Sequence, residues 1–179
     1  METRFGKIMV SRAGGTAAKG SKTYKLSLPT AWVVKMGLDD HAGRVVLSFD
    51  GEAITIRREQ SMEQYRINRM NLGHKLIGIR YYNQNTLCTL IYADRTARDL
   101  CVENYTDNLV KTAFGKNNLP TWEEFETFLE ERCIPRQRAG LKEYLEALGL
   151  NEYDPLSILQ KTKGRMAEDD QWMEVQIIP

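Results

Sequence analysis

Cysteine and histidine are scarce in this 179-residue chain: three cysteines, two histidines, and no pair at CxxC spacing. Cys88, Cys101 and Cys133 are odd in number, widely spaced and set in apolar-periodic segments, which favours buried thiols over a disulfide framework or a zinc site. No stretch approaches the roughly 18 uncharged apolar residues of a membrane span. The start, METRFGKIMVSRAGG, lacks an apolar signal core followed by a small-residue cleavage site, so a cytosolic protein with no membrane partner is expected. Catalytic signatures are also missing. Ser27 has no flanking glycines of a nucleophile elbow, His41 and His74 have no carboxylate at a telling spacing, and Gly14-Gly15 is not followed by the Lys-Ser/Thr of a phosphate loop. Glu168, Asp169 and Asp170 are consecutive acids that do not converge as ligands and read as a solvated turn. Asp94 and Asp99, beside Arg95 and Arg98, read as turn and surface charges. The expectation is a chain without enzymatic activity, cofactor or metal.

Charge is plentiful and unevenly placed. Residues 1–60 have a balance of +4, residues 61–115 of +2 and residues 116–179 of −5, which together give the net +1. Within the first 38 residues, Arg4, Lys7, Arg12, Lys19, Lys22, Lys25 and Lys35 stand against the single acid Glu2. A basic front with an acidic back suits a protein that turns one face to phosphates. The 42% apolar content suffices for a core.

The period of the pattern assigns the elements. Lys7–Val10 is β-prone, and SRAGGTAAKGS (11–21) has the composition of a loop. Tyr24, Leu26 and Leu28 alternate with polar residues as in a half-buried strand that Pro29 ends. Ala31–Leu38 predicts one or two helical turns closing at Gly37. Val45–Phe49 and Ala53–Arg57 form two strand runs joined by Asp50-Gly51, a tight-hairpin pair. LIGIRYYN, LCTLIYAD and ARDLCVENY predict a three-stranded antiparallel meander over 61–115. Beyond it the period becomes helical. Thr121-Trp122-Glu123-Glu124 is a capping-box signature ahead of Phe125, Phe128 and Leu129. A second helix is expected from about Arg138 with Leu141, Tyr144, Leu145 and Leu148 inward and Gly149 as its stop, and a third at Asp154-Pro155. Whether the tail GRMAEDDQWMEVQIIP ends in a strand is open from one apolar run. The fold class is therefore α+β in three parts: 1–60, a meander over 61–115, and a small helical module over 116–179.

The N-terminal third resembles the AbrB/MazE/SpoVT family of swapped-hairpin DNA-binding domains. The resemblance rests on Leu26-Ser27-Leu28-Pro29, on Trp32–Leu38 ending Met36-Gly37-Leu38, on Asp39-Asp40, on Val45–Phe49 and on Ile54-Thr55-Ile56-Arg57, and it covers about residues 5–58. The family's usual Ser-Lys-Gly-Gln turn is replaced by the longer SRAGGTAAKGSKTY, in which Lys19-Gly20 and Ser21-Lys22 keep the chemistry. The resemblance implies a homodimer whose chains interleave hairpins into one β-barrel-like core, and a double-stranded DNA face built from Lys7, Arg12, Lys19, Lys22 and Lys25. A weaker resemblance, to the tails of uncharacterised bacterial mobile-element proteins, covers the C-terminal half and carries no activity.

Trp122, Phe125, Tyr144 and Trp172 read chiefly as core aromatics, with a protein-partner surface as the alternative. The function expected is that of a sequence-recognising, homodimeric transcriptional regulator or antitoxin-like repressor, its C-terminal module serving a partner or regulatory contact. Its runner-up is a mobile-element inhibitor of the anti-CRISPR type, which would bind a Cas nuclease and present the acids of residues 123–174 as phosphate mimics.

Overall fold

A computed structural model describes residues 2–12, 18, 20–39, 44–49 and 51–179. These residues form a mixed α+β structure with five α-helices and three antiparallel sheets, and no barrel closes among them. The chain divides into two compact units, Met1–Glu59 and Gln60–Pro179.

In the first unit β1 (Ile8–Arg12) pairs antiparallel with β2 (Lys22–Leu26). Pro29 then serves as the cap residue before the short helix α1 (Thr30–Lys35), where its fixed φ is tolerated and its missing amide costs nothing. β3 (Val45–Phe49) pairs antiparallel with β4 (Ile54–Arg58). Gly51, with φ at +103°, supplies the positive φ expected of this turn, while Asp50 lies outside the described residues. The strands fall within two residues of the positions that the alternation predicts, and the helix ends at Lys35, three residues before the expected Leu38. None of the described residues in this unit is buried.

The second unit starts with α2 (Met62–Asn71), a helix that the apolar pattern does not predict. Its signal is nevertheless present. The Ser61 hydroxyl accepts from the Gln64 amide while the Gln64 side chain accepts from the Ser61 amide, the reciprocal pairing of a capping box. Only Met62 and Tyr65 of this helix are buried, so its apolar stripe is too thin to announce a period.

Next come β5 (Leu76–Asn83), β6 (Thr86–Asp94) and β7 (Asp99–Asn104), the expected antiparallel meander. α3 (Trp122–Glu131), α4 (Leu141–Ala147) and α5 (Pro155–Thr162) follow. The Thr121 hydroxyl accepts from the Glu124 amide, the Glu124 carboxylate accepts from the Thr121 amide, and Asp154 accepts from the Ser157 amide, as the capping signatures require. The tail is β8 (Gln171–Ile178), antiparallel to β5, giving the sheet order β7-β6-β5-β8.

The meander and the helical segment are expected as separate modules, 61–115 and 116–179, but they belong to one unit. Ile77, Ile79, Tyr81, Ile91 and Met173 from the sheet share a core with Phe125, Phe128, Leu145, Ile158 and Leu159 from the helices. A three-stranded meander exposes an apolar face that must be covered, and the helical stripes supply that cover. The opposite sheet face packs Tyr65 of α2 against Leu76 and Ile178.

Candidate nucleic-acid interface

Cross-strand register decides which basic residues of the first unit share a face. In the β1–β2 ladder Ile8 opposes Leu26, Val10 opposes Tyr24, and Arg12 opposes Lys22. Because successive side chains alternate, these six lie on one face, apolar over most of its length and cationic at the end nearest the connecting loop. Met9 opposes Lys25 and Ser11 opposes Thr23 on the other face. Lys25 is thus separated from Arg12 and Lys22 by the thickness of the hairpin. Lys7, one residue ahead of β1, falls on the Lys25 side by the same alternation. All four are exposed, and Lys19 lies outside the described residues. A like-charged pair directly across a ladder destabilises the hairpin. A phosphate placed between Arg12 and Lys22 removes that cost.

The β3–β4 ladder has the same two-sided construction. Val45, Leu47, Phe49, Ile54 and Ile56 share one face with Arg58, whereas Val46, Ser48, Thr55 and Arg57 share the other. Leu47, Phe49 and Ile54 are 61%, 69% and 70% exposed. Near the N-terminus the Trp32 indole donates to the Glu2 carboxylate at 2.6 Å, and the Arg4 guanidinium lies 5.6 Å from the centre of the Trp32 ring. The acid Glu2 is therefore engaged beside α1 rather than beside the Arg12–Lys22 pair.

The four aromatics considered for a partner surface do not form one. Phe125 is 1% exposed and sits in the core, which corrects any partner-facing role for it. Its position on the inner face of α3, between sheet and helices, leaves nothing for a partner to touch. Trp122 and Tyr144 are partly buried against that core. Trp172 stands on the other face of the sheet, stacked on Tyr82 at 4.4 Å, with its indole donating to the Gln84 carbonyl.

Two carboxylates that read as solvated turn charges in the sequence have specific partners: Asp94 is internal, and Asp169, itself exposed, reaches a buried arginine. Asp94, expected as a turn charge, is fully buried. It lies 2.6 Å from His74 Nδ1, accepts from the Thr96 and Ala97 amides, and has the Arg69 guanidinium at 3.4 Å. Arg69 also donates to Asp99. Burial pushes the Asp94 carboxyl upward, but the hydrogen bonds from His74 and the two amides outweigh it and hold the group below its ordinary value. Asp169 pairs with the buried Arg132, whose guanidinium also donates to the Gly164 and Gln171 carbonyls. The Arg132 hydrogen bond, against the opposing effect of burial and with help from the Gln171 amide, lowers the Asp169 carboxyl. These partners are 20 to 37 residues apart along the chain, so no local spacing announces them.

Both carboxyls titrate lower when folded than when unfolded. Each therefore contributes its full stability above about pH 5 and loses it as the pH falls through the unfolded and then the lowered value. Urea midpoints should drop between pH 5 and pH 2, with a shallower drop in Asp169→Asn. An identical pH slope in that variant contradicts the assignment.

No cluster of three or more metal-ligating side chains occurs among the described residues, and none of their helices is long and apolar enough to cross a membrane. No protein-family model, curated protein or solved structure matches the chain.

Proposed function

We propose that this chain is a homodimeric DNA-binding protein, a transcriptional regulator or antitoxin-like repressor whose first unit pairs with that of a second copy. The observation that carries the proposal is the two-faced build of that unit. It places apolar side chains on one face of each of its two hairpins, buries none of its described residues, and ends one apolar face in the Arg12–Lys22 pair. A unit spanning Met1–Glu59 that buries so little cannot offset its conformational entropy alone, whereas two copies laid apolar face to apolar face can. The resemblance of residues 5–58 to swapped-hairpin DNA-binding domains points the same way.

In this reading the partner copy covers Val45, Leu47, Phe49, Ile54 and Ile56. Two Arg12–Lys22 ends, related by the two-fold axis, then address two half-sites of a pseudo-palindromic duplex. Lys22 acts on a phosphate, a contact that positions the protein without reading sequence. Arg12 supplies the base contact, since its planar fork matches the paired acceptors of guanine.

Titration of the full chain with duplex DNA at several salt concentrations tests this. Lys22→Ala should flatten the slope of log affinity against log salt by about 0.9 for each phosphate that the protein no longer neutralises. Arg12→Ala should cost about 1–3 kcal/mol per base contact and relax sequence preference. Both side chains are exposed, so the fold should persist. Unchanged affinity and slope in the double variant would reject this hairpin end as the contact surface.

A further inference from the structure

The second unit contains a cavity of about 410 Å³ between the start of β5, the end of β8 and α5. This lies within the usual range for small-molecule sites, roughly 300–1,000 Å³. Its lining is largely apolar, with Leu76, Ile77 and Ile178 buried and Leu156, Val175 and the exposed Ile177 around them. Its polar groups are uneven in sign. His74, Lys75 and Arg95 line it, and the single acidic side chain of the lining, Asp154, is already occupied by the amide and hydroxyl of Ser157 at 3.0 and 2.6 Å.

His74 is the ordered member of this set. Its Nδ1 is 2.6 Å from Asp94, and that carboxylate is wholly buried and fixed by the Thr96 and Ala97 amides and by Arg69. A buried carboxylate on one ring nitrogen fixes the tautomer and orientation of an imidazole and leaves the other nitrogen for a ligand. Lys75 and Arg95 are held together by their backbones, the Arg95 amide donating to the Lys75 carbonyl and the Lys75 amide donating to Thr96 Oγ1. Both residues are exposed and both line the cavity.

We propose that this cavity binds an apolar monocarboxylate, its hydrocarbon body against the apolar lining and its carboxylate against His74, Lys75 and Arg95. An apolar lining alone would accept any hydrophobic molecule of the right size. The three cationic or hydrogen-bonding groups, with the neighbouring acid internally satisfied, select the anion. The site belongs to the second unit and is independent of the DNA reading.

Octanoate and the uncharged octanol, titrated calorimetrically into the full chain, separate the contributions of charge and chain. Octanoate should bind saturably at least tenfold more tightly than octanol. The Lys75→Ala/Arg95→Ala double variant, which alters two exposed side chains, should lose most of that difference while keeping octanol affinity. His74→Gln should weaken octanoate as well, and addition of octanoate should shift the His74 ring resonances in the unaltered protein, a readout that does not depend on any variant folding. Equal affinity for the two ligands would overturn the proposal, as would octanoate binding unaffected by the double variant. No saturable octanoate binding up to millimolar concentration would also overturn it.

Discussion

Leu47→Glu should convert the full chain from dimer to monomer. Leu47 lies mid-strand on the apolar face of the β3–β4 hairpin, between Val45 and Phe49 and opposite Ile56. If that face closes on a second copy, the substitution puts an unpaired carboxylate into each half of the interface. Burying such a charge costs about 3–5 kcal/mol, so the dimer dissociation constant should rise by about a thousandfold or more. Ser48→Glu, one residue along on the polar face, should leave it nearly unchanged. The contrast between adjacent positions distinguishes a specific interface from a general effect of added charge. Sedimentation equilibrium reads both, and two variants that behave alike would count against face-to-face pairing.

The second large effect lies in the other unit. Phe125→Ala should destabilise residues 60–179 by about 3–5 kcal/mol, because it removes a large ring from a packed core that cannot fully collapse around the gap. Phe125 is 1% exposed, and its ring lies 5.3 Å from that of Trp122. Denaturant melts followed by tryptophan fluorescence measure the loss, while DNA affinity of the still-folded protein should stay within a factor of about two. A loss of partner binding without loss of stability would instead return Phe125 to an interface role.

Local chemistry is legible wherever it acts over a few residues. The Thr121 capping box, the Asp154 cap, the strand alternation of residues 45–58 and the meander all follow from spacing, because each is fixed by neighbours within one turn or one hairpin. Long-range chemistry is not legible. Arg132 meets Asp169 37 residues away, and His74 meets Asp94 20 residues away, because the tertiary fold brings them together. The helix α2 escapes the apolar pattern because a mostly polar decapeptide shows no period, although Ser61 and Gln64 mark its start. The union of residues 61–115 with 116–179 depends on β8 returning to β5, a pairing that one apolar run could not disclose.

In the candidate interface, the run of basic residues is visible in the sequence but its division is not. Composition places Lys7, Arg12, Lys22 and Lys25 on one short segment. Register sends Arg12 and Lys22 to the apolar face and Lys25 to the other, so the four do not act as one patch.

The most direct test of the central claim is the mass of the full chain, by analytical ultracentrifugation, alone and with one equivalent of a palindromic duplex at low salt. The chain has a mass of 20.6 kDa. Pairing through the first unit predicts twice that mass for the free protein at micromolar concentration, and two chains added to each duplex on mixing. A free protein at the single-chain mass whose sedimentation the duplex does not change would contradict it.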